Sequence, residues 1–319
     1  MIGSSRGSLA RMGLLALFWG SSFLWIKLAL HGLSPVQITL VRLVAGGGLV
    51  FVLCLLTRER LPRGRRVWEH LVVAAIFGNV LPFTLFGVGE RTVDSGVAGV
   101  LNATTPLWAL VIGILVGTER RLTPVRIGGL LLGFAGTLLI FAPWQSAGLV
   151  SWGALALLGA AISYGIVFVY IGRFLAGRAG SPMALSAAQL LTAAGLTALT
   201  VPVAGLQPVR IQALALVAAV ILGVFGTGLA YVMNYRLIVD EGPTNASTVG
   251  YLLPVVSVVL GAIFLSESIT VRVVLGMVVV LVGVAMTKWQ RRVKLDEAAV
   301  GGPPGELVPV GELGLAKNA

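Results

Sequence analysis

Ten apolar stretches of roughly 18–25 residues, separated by short polar breaks, constrain this chain more than any other feature. They lie near 10–30, 35–56, 70–89, 96–117, 125–143, 151–173, 182–203, 213–235, 245–265 and 271–288. The breaks are turn-like or charged: HGLSP, TRERLPRGRR, ERTVDSG, TERRLTP, APWQSAG, GRAGSP, GLQPVR, VDEGPT and SESITVR. Each stretch is long enough to cross a bilayer. Lipid offers no partner to a free N–H or C=O, so each reads as a helix. Composition agrees, with 57% hydrophobic and only 11% charged residues, against about 25% charged in soluble domains. The expected fold is all-α and integral to the membrane, with ten transmembrane helices.

Orientation follows from Lys and Arg. With the N-terminus inside, the inner segments hold Arg6 and Arg11, the Arg58–Arg66 cluster, Arg120, Arg121, Arg126, Arg173, Arg178, Arg236 and the basic start of the tail; the outer segments hold Arg91, Arg210 and Arg272. This predicts cytoplasmic N- and C-termini in the cell membrane, and it explains the net charge of +11 without a nucleic-acid partner. Arg6 and Arg11 before LLALF imitate a signal peptide, but no A-x-A-like site follows, so the run reads as an uncleaved first span. One cysteine, Cys54, and two histidines, His31 and His70, give no basis for a disulfide or a Cys/His metal site. No cofactor is expected. From residue 290 the chain is rich in Gly, Pro and acidic residues without periodicity, and reads as a disordered cytoplasmic tail, 290–319.

The halves resemble each other. SPVQITLVRLVAGGGL (34–49) aligns without a gap on SPMALSAAQLLTAAGL (181–196), and FGNVLPF (77–83) on FGTGLAY (225–231). NATTPLWALVIGILVGTE (102–119) aligns on GYLLPVVSVVLGAIFLSE (250–267), setting Pro106 on Pro254 and Glu119 on Glu267. Each half, 1–147 and 148–289, holds five spans, an odd number, so the second must insert upside down. Inverted repeats of this kind build alternating-access carriers, with the substrate where the halves meet.

These same residues resemble the EamA family of the drug/metabolite transporter superfamily. FWGSSFLWIKLAL is similar to its first-helix pattern and LVRLVAGGG to its second-helix Arg pattern. TTPLWALVIGILVGTERRLTPVRIGGLLLGFAGTLLI is similar to its Pro–Glu–Gly-rich stretch, echoed by LLPVVSVVLGAIFLSESITVRVVLGMVVVLVGVAM. The resemblance covers nearly all of 8–288. It implies a ten-helix inverted-repeat carrier, usually an exporter of amino acids or other small metabolites, with a cavity built mainly by helices one, three, four, six, eight and nine. The second half departs from the pattern, with SYG (163–165) for the Trp-Gly pair and Gln189 for Arg42.

The cavity candidates on those helices are Trp19, Ser22 and Lys27; Asn79; Asn102, Thr105 and Trp108; Tyr164; Tyr231 and Asn234; and Asn245 and Tyr251. Aromatic walls with a few polar groups suit an amphipathic small molecule. Lys27 is open to two readings, snorkelling to the headgroups or meeting a substrate carboxylate. Arg42 lies about 12 Å into its helix. A charge there is costly and faces the interior or water, and its expected role is structural or at a gate. Pro106 and Pro254 mark a shared bend. Glu119 and Glu267 cap or pair at helix ends, with gating as the alternative. Gly129, Gly133, Gly136, Gly276 and Gly283 permit close helix packing.

No Asp or Glu falls in the middle of a span, so a buried acid relay is not expected. No enzyme motif is present, and an enzyme reading is set aside. The expected partners are a small-molecule substrate and the bilayer. The rival readings are a sugar-phosphate or nucleotide-sugar carrier, which needs more cavity cations, and a non-transporting receptor or scaffold.

Overall fold

The computed structural model describes residues 2–93, 95–119, 123–145, 151–177, 179–204, 206–209, 212–265 and 270–300. Among these residues there is no strand, and nine helices are long and apolar enough to cross a membrane. We label them α1 Gly7–Leu30, α2 Pro35–Leu56, α3 Arg65–Gly89, α4 Ala98–Leu115, α5 Pro124–Phe141, α6 Trp152–Phe174, α7 Pro182–Val203, α8 Ala213–Glu241 and α9 Pro243–Leu260. A shorter apolar helix, α10, covers Val271–Thr287, and its helical conformation continues to Val300. The helix thus enters the stretch expected as tail, and 301–319 lies outside the described residues.

The helix ends follow local chemistry. Ser34 and Gln37 form a reciprocal capping box at the start of α2, with Pro35 in the first turn. Ser151 accepts from the Ala154 N–H at the start of α6. Gly242, at φ +79°, turns α8 directly into α9; a side chain is strained in that conformation, and glycine removes the penalty.

Five spans are interrupted near their middles. α1 breaks at Ser21 and α4 at Ala103–Thr104, just before Pro106; α9 breaks at Thr248 and carries Pro254 further on. α3 and α8 each contain a π-helical turn, at Ile76–Val80 and Val224–Leu229. These two turns fall on the aligned FGNVLPF and FGTGLAY stretches. A π turn leaves carbonyls without their usual i+4 donor. In α3 the Ala74 carbonyl accepts from Gln189 Nε2 at 3.2 Å, and in α8 the Leu222 carbonyl accepts from Thr227 Oγ1 at 3.2 Å. Burying either carbonyl unpaired would cost about 1–3 kcal/mol.

Packing partners recur between the halves. α2 lies on α7 and α5 on α10; α1 packs against α8 and α9, as α6 packs against α3 and α4. Gly20 of α1 and Gly165 of α6 make the close approaches. A Cβ on Gly20 would lie 2.9 Å from Val256, and one on Gly165 2.7 Å from Trp108. The α5–α10 seam is closer still, through the glycines singled out from the sequence. A Cβ on Gly283 would fall 2.5 Å from the Gly133 nitrogen, and one on Gly136 2.8 Å from the Gly276 carbonyl oxygen.

Candidate functional site

The interrupted helices surround a central cavity of about 810 Å³, counted out to its open mouth. Its walls come from α1, α2, α3, α4, α6, α8 and α9. Among the described residues, neither α5 nor α10 contributes to the lining.

Of the sequence candidates, the structure brings Trp19, Ser22, Asn102, Thr105, Tyr164, Tyr231 and Asn234 onto this wall. It adds Arg42, whose expected role was structural or at a gate. The other candidates lie elsewhere. Lys27 is exposed. Asn79 is buried behind the wall, where its Oδ1 accepts from Gln189 Nε2 at 2.7 Å. Trp108 donates to Thr104 Oγ1 at 3.2 Å and packs on Gly165. Asn245 sits in the first turn of α9, its carbonyl accepting from Thr248. Tyr251 is fully buried against Gly133 of α5. Glu267 lies outside the described residues.

Hydrogen bonds to freed backbone set the wall aromatics. Trp19 Nε1 donates to the Gly226 carbonyl at 3.1 Å, and the Tyr231 hydroxyl donates to the Gly78 carbonyl. Gly78 O is available because Pro82, four residues on, has no N–H. Gly226 O is available because the π turn sends the Ala230 N–H to Phe225 O. Ser163 Oγ donates to the neighbouring Phe77 carbonyl at 2.7 Å. Tyr231 meets Trp19 and Phe83 edge-on, both at ring-centroid separations of 6.4 Å. Pro106 and Pro254 likewise have no N–H for the carbonyls of Asn102 and Gly250, both wall residues.

Among the described residues lining the cavity, Arg42 is the only charged one. It is 6% exposed. Its guanidinium carbon lies 3.6 Å from the Phe83 ring centroid, and its Nε donates to Thr227 Oγ1 at 3.0 Å. Thr227 therefore donates to Leu222 O and accepts from Arg42. In water-poor surroundings the ring contact stabilises the cation by about 2 kcal/mol. Asn234 is 4% exposed, and its Oδ1 is buried without a hydrogen-bond partner. The wall thus offers a cation and two amides, Asn102 and Asn234, spaced by aromatic and aliphatic surface from Phe83, Phe86, Phe168, Val167, Ile171 and Leu253. Those apolar members carry no sequence signal that separates them from residues facing lipid.

The two ends of the bundle differ. At one end Glu119 receives a bidentate pair from Arg126, at 2.6 and 2.7 Å, and a bond from Thr244, tying α4 to α5 and α9. Glu119 thus pairs at its helix end, as expected, with a partner across the loop; Arg120 and Arg121 lie outside the described residues. Arg11 pairs with Asp240 at 2.5 Å, and His70 Nδ1 lies 2.7 Å from the Tyr170 hydroxyl. At the other end Glu90, which caps α3, is 7% exposed, and neither carboxylate oxygen has a hydrogen-bond partner. The sequence reading placed Glu90 in a polar break; its position one turn beyond Phe86 was the available signal.

Membrane helices broken at mid-span are tolerated where the irregular backbone is buried in protein or lines a cavity. Arranged around a common cavity, they are the build of a multi-pass membrane transport protein. The EamA-like transporter family matches residues 10–142 and 151–289, and the chain belongs to that family. It is 26% identical over 282 residues to an uncharacterized transporter of Archaeoglobus fulgidus, covering 86% of this chain and 95% of the relative. It is 28% identical to the uncharacterized inner membrane transporter YedA of Escherichia coli, covering 77% and 79%. It is 26% identical to the uncharacterized transporter YdfC of Bacillus subtilis, covering 84% and 87%. A solved crystal structure with 20% identity superposes at a TM-score of 0.73, over 91% of this chain and 99% of that one. The resemblance read from the sequence is confirmed at the level of family and of membrane transport.

Proposed function

We propose that the protein exports small amphipathic metabolites, amino acids among them, by alternating access of two inverted five-helix halves. The observation that carries this reading is the make-up of the cavity wall. Apart from Arg42, its lining residues come from α1 and α6, α3 and α8, α4 and α9, pairs that align between the halves. An interface shared in this way exposes one site to either side as the halves rock. On this reading ten helices cross the cell membrane, both termini are cytoplasmic, and the Glu119 end is the inner one.

The wall favours a solute with an apolar body and few charges, because among its described residues Arg42 alone supplies charge. A sugar-phosphate or nucleotide-sugar carrier would need several cations for a dianionic group. A receptor or scaffold has no need of a central cavity between two repeats.

The test uses proteoliposomes loaded with a mixed pool of amino acids and small metabolites, with efflux followed by mass spectrometry. The expected result is selective release that Trp19→Ala abolishes, since that change removes a wall and the bond to Gly226. Equal release from wild-type, variant and empty liposomes would refute transport through this cavity.

A further inference from the structure

Two charged groups are left uncompensated at one end of the cavity. Among the described residues, Arg42 makes its one hydrogen bond through Nε, to Thr227, and stacks on Phe83, leaving its remaining guanidinium nitrogens without a hydrogen-bond partner. Glu90 is buried, and both of its oxygens lack donors. No ion pair within 4.0 Å joins them. They still lie in each other's field, and Lys27 of α1 acts on Glu90 as well. A carboxylate in this position is held by two cations at a distance and by no hydrogen bond. Charged and neutral forms of such a group lie close in free energy, and a small change in local charge decides between them.

Among the described residues, the elements around Glu90 offer no other strong control. α1 brings Lys27 and α2 brings Arg42. α6 carries Tyr164, whose ring lies 6.0 Å from that of Phe86, one turn below Glu90; its Tyr170 and Arg173 sit at the far end, beside His70 and Val116. On α3's own exit, the adjacent Arg91 reaches out to Gln207 at 3.5 Å.

We propose that Glu90 is a proton-exchanging carboxyl linked to binding of an anionic group at Arg42. With the cavity empty and the pH above the Glu90 midpoint, ionised Glu90 balances one of the two cations. When a carboxylate docks on the open guanidinium fork, two negative groups share one field. Glu90 then takes one proton from solution, and the local charge stays the same. Release of the anion returns the proton. Burial is the main cause that pushes the Glu90 carboxyl up to about 8, and Lys27 and Arg42 oppose it. The group follows the last residue of the α3 span. A proton is therefore exchangeable there near neutrality. This linkage rests on the cavity being a substrate path and couples that path to protons from the end of a span rather than from its middle, where no acid lies.

The experiment is an infrared titration of the full chain in nanodiscs, from about pH 5 to about pH 10, following the protonated-carboxyl band. Wild type should keep a band near neutral pH that Glu90→Gln lacks. Arg42→Gln, which removes a cation, should raise its midpoint about tenfold in proton affinity. Thr227→Val frees Arg42 without removing its charge, and should leave the band present if the protein is folded. Benzoate should raise the midpoint, and the neutral benzamide should not. Absence of a Glu90-dependent band near neutrality, or a midpoint indifferent to both Arg42→Gln and benzoate, would overturn the proposal. These readings do not require metabolite efflux. A benzoate-linked band without transport would sink the exporter reading and leave the proton site standing.

Discussion

Gly283→Ala adds one carbon at the tightest point of the α5–α10 seam. That carbon would sit 2.5 Å from the Gly133 nitrogen, 2.7 Å from the Gly129 carbonyl oxygen and 2.9 Å from the Gly133 Cα. All three obstacles are backbone, so no rotamer change relieves them. Ordinary contact starts near 3.4 Å, so the helices must separate by roughly 1 Å. Gly136 against Gly276 and Gly129 against Gly283 lose their contacts in the same movement. Overpacking of this kind costs about 1–3 kcal/mol. The Gly-to-Ala change itself returns about 0.5–1 kcal/mol of helix propensity. The net expectation is destabilisation, read as a lower thermal unfolding midpoint in detergent. Gly13→Ala is the matched control, because nothing lies within 4 Å of its added carbon, and it should hold or raise the midpoint. The seam lies off the cavity wall, so Gly283→Ala protein that stays folded should still bind what the wild type binds. Equal midpoints for the Gly283 and Gly13 variants would refute the close-packed seam.

Three other sites give equally direct expectations. Arg126→Ala leaves the Glu119 carboxylate, 13% exposed, with only Thr244, and should lower the unfolding midpoint by the equivalent of about 2 kcal/mol; Arg126→Lys should restore only part, because Lys cannot make the bidentate pair. Trp19→Phe keeps an aromatic wall but leaves Gly226 O without its donor, costing about 1–3 kcal/mol, whereas a fully stable variant would show that the bond contributes nothing. Glu90→Gln should flatten stability against pH. A carboxyl raised to about 8 in the fold supports stability most fully below its unfolded value, and loses that support as pH rises through about 8, so the variant should gain on wild type in alkali; parallel profiles would place no titration at Glu90.

Span positions were open to reading because each is a run of apolar residues, and that signal needs no knowledge of which face is buried. The close helix seam was equally open, since glycine at helical spacing has few other uses inside a membrane. Arg42 could be placed in the interior by cost alone, but its exit onto the cavity depended on Phe83 and Thr227, which come from two other helices. The facing of polar residues was harder to read. A π turn inserts a residue and rotates the later side chains of its helix by about 100°, and the breaks at Ser21, Thr104 and Thr248 have a similar effect. Lys27, Asn79, Trp108 and Tyr251 all lie in or beyond such an irregularity, where helical periodicity no longer tells cavity from lipid or core. Glu90 was missed for another reason: a helix terminus reads as solvated, and only the packing of α2 and α6 against the end of α3 shows otherwise.

The grips on Gly78 and Gly226 are reciprocal in position but not in chemistry. A phenol holds one carbonyl and an indole the other, while an amide caps one π turn and a hydroxyl the other. A machine with two identical clasps would rest equally in both of its postures. If the halves rock as proposed, two unlike clasps give the postures different energies, and the empty protein then has a preferred side. Exchanging Trp19 and Tyr231 between the grips would then tilt that preference without touching the path itself.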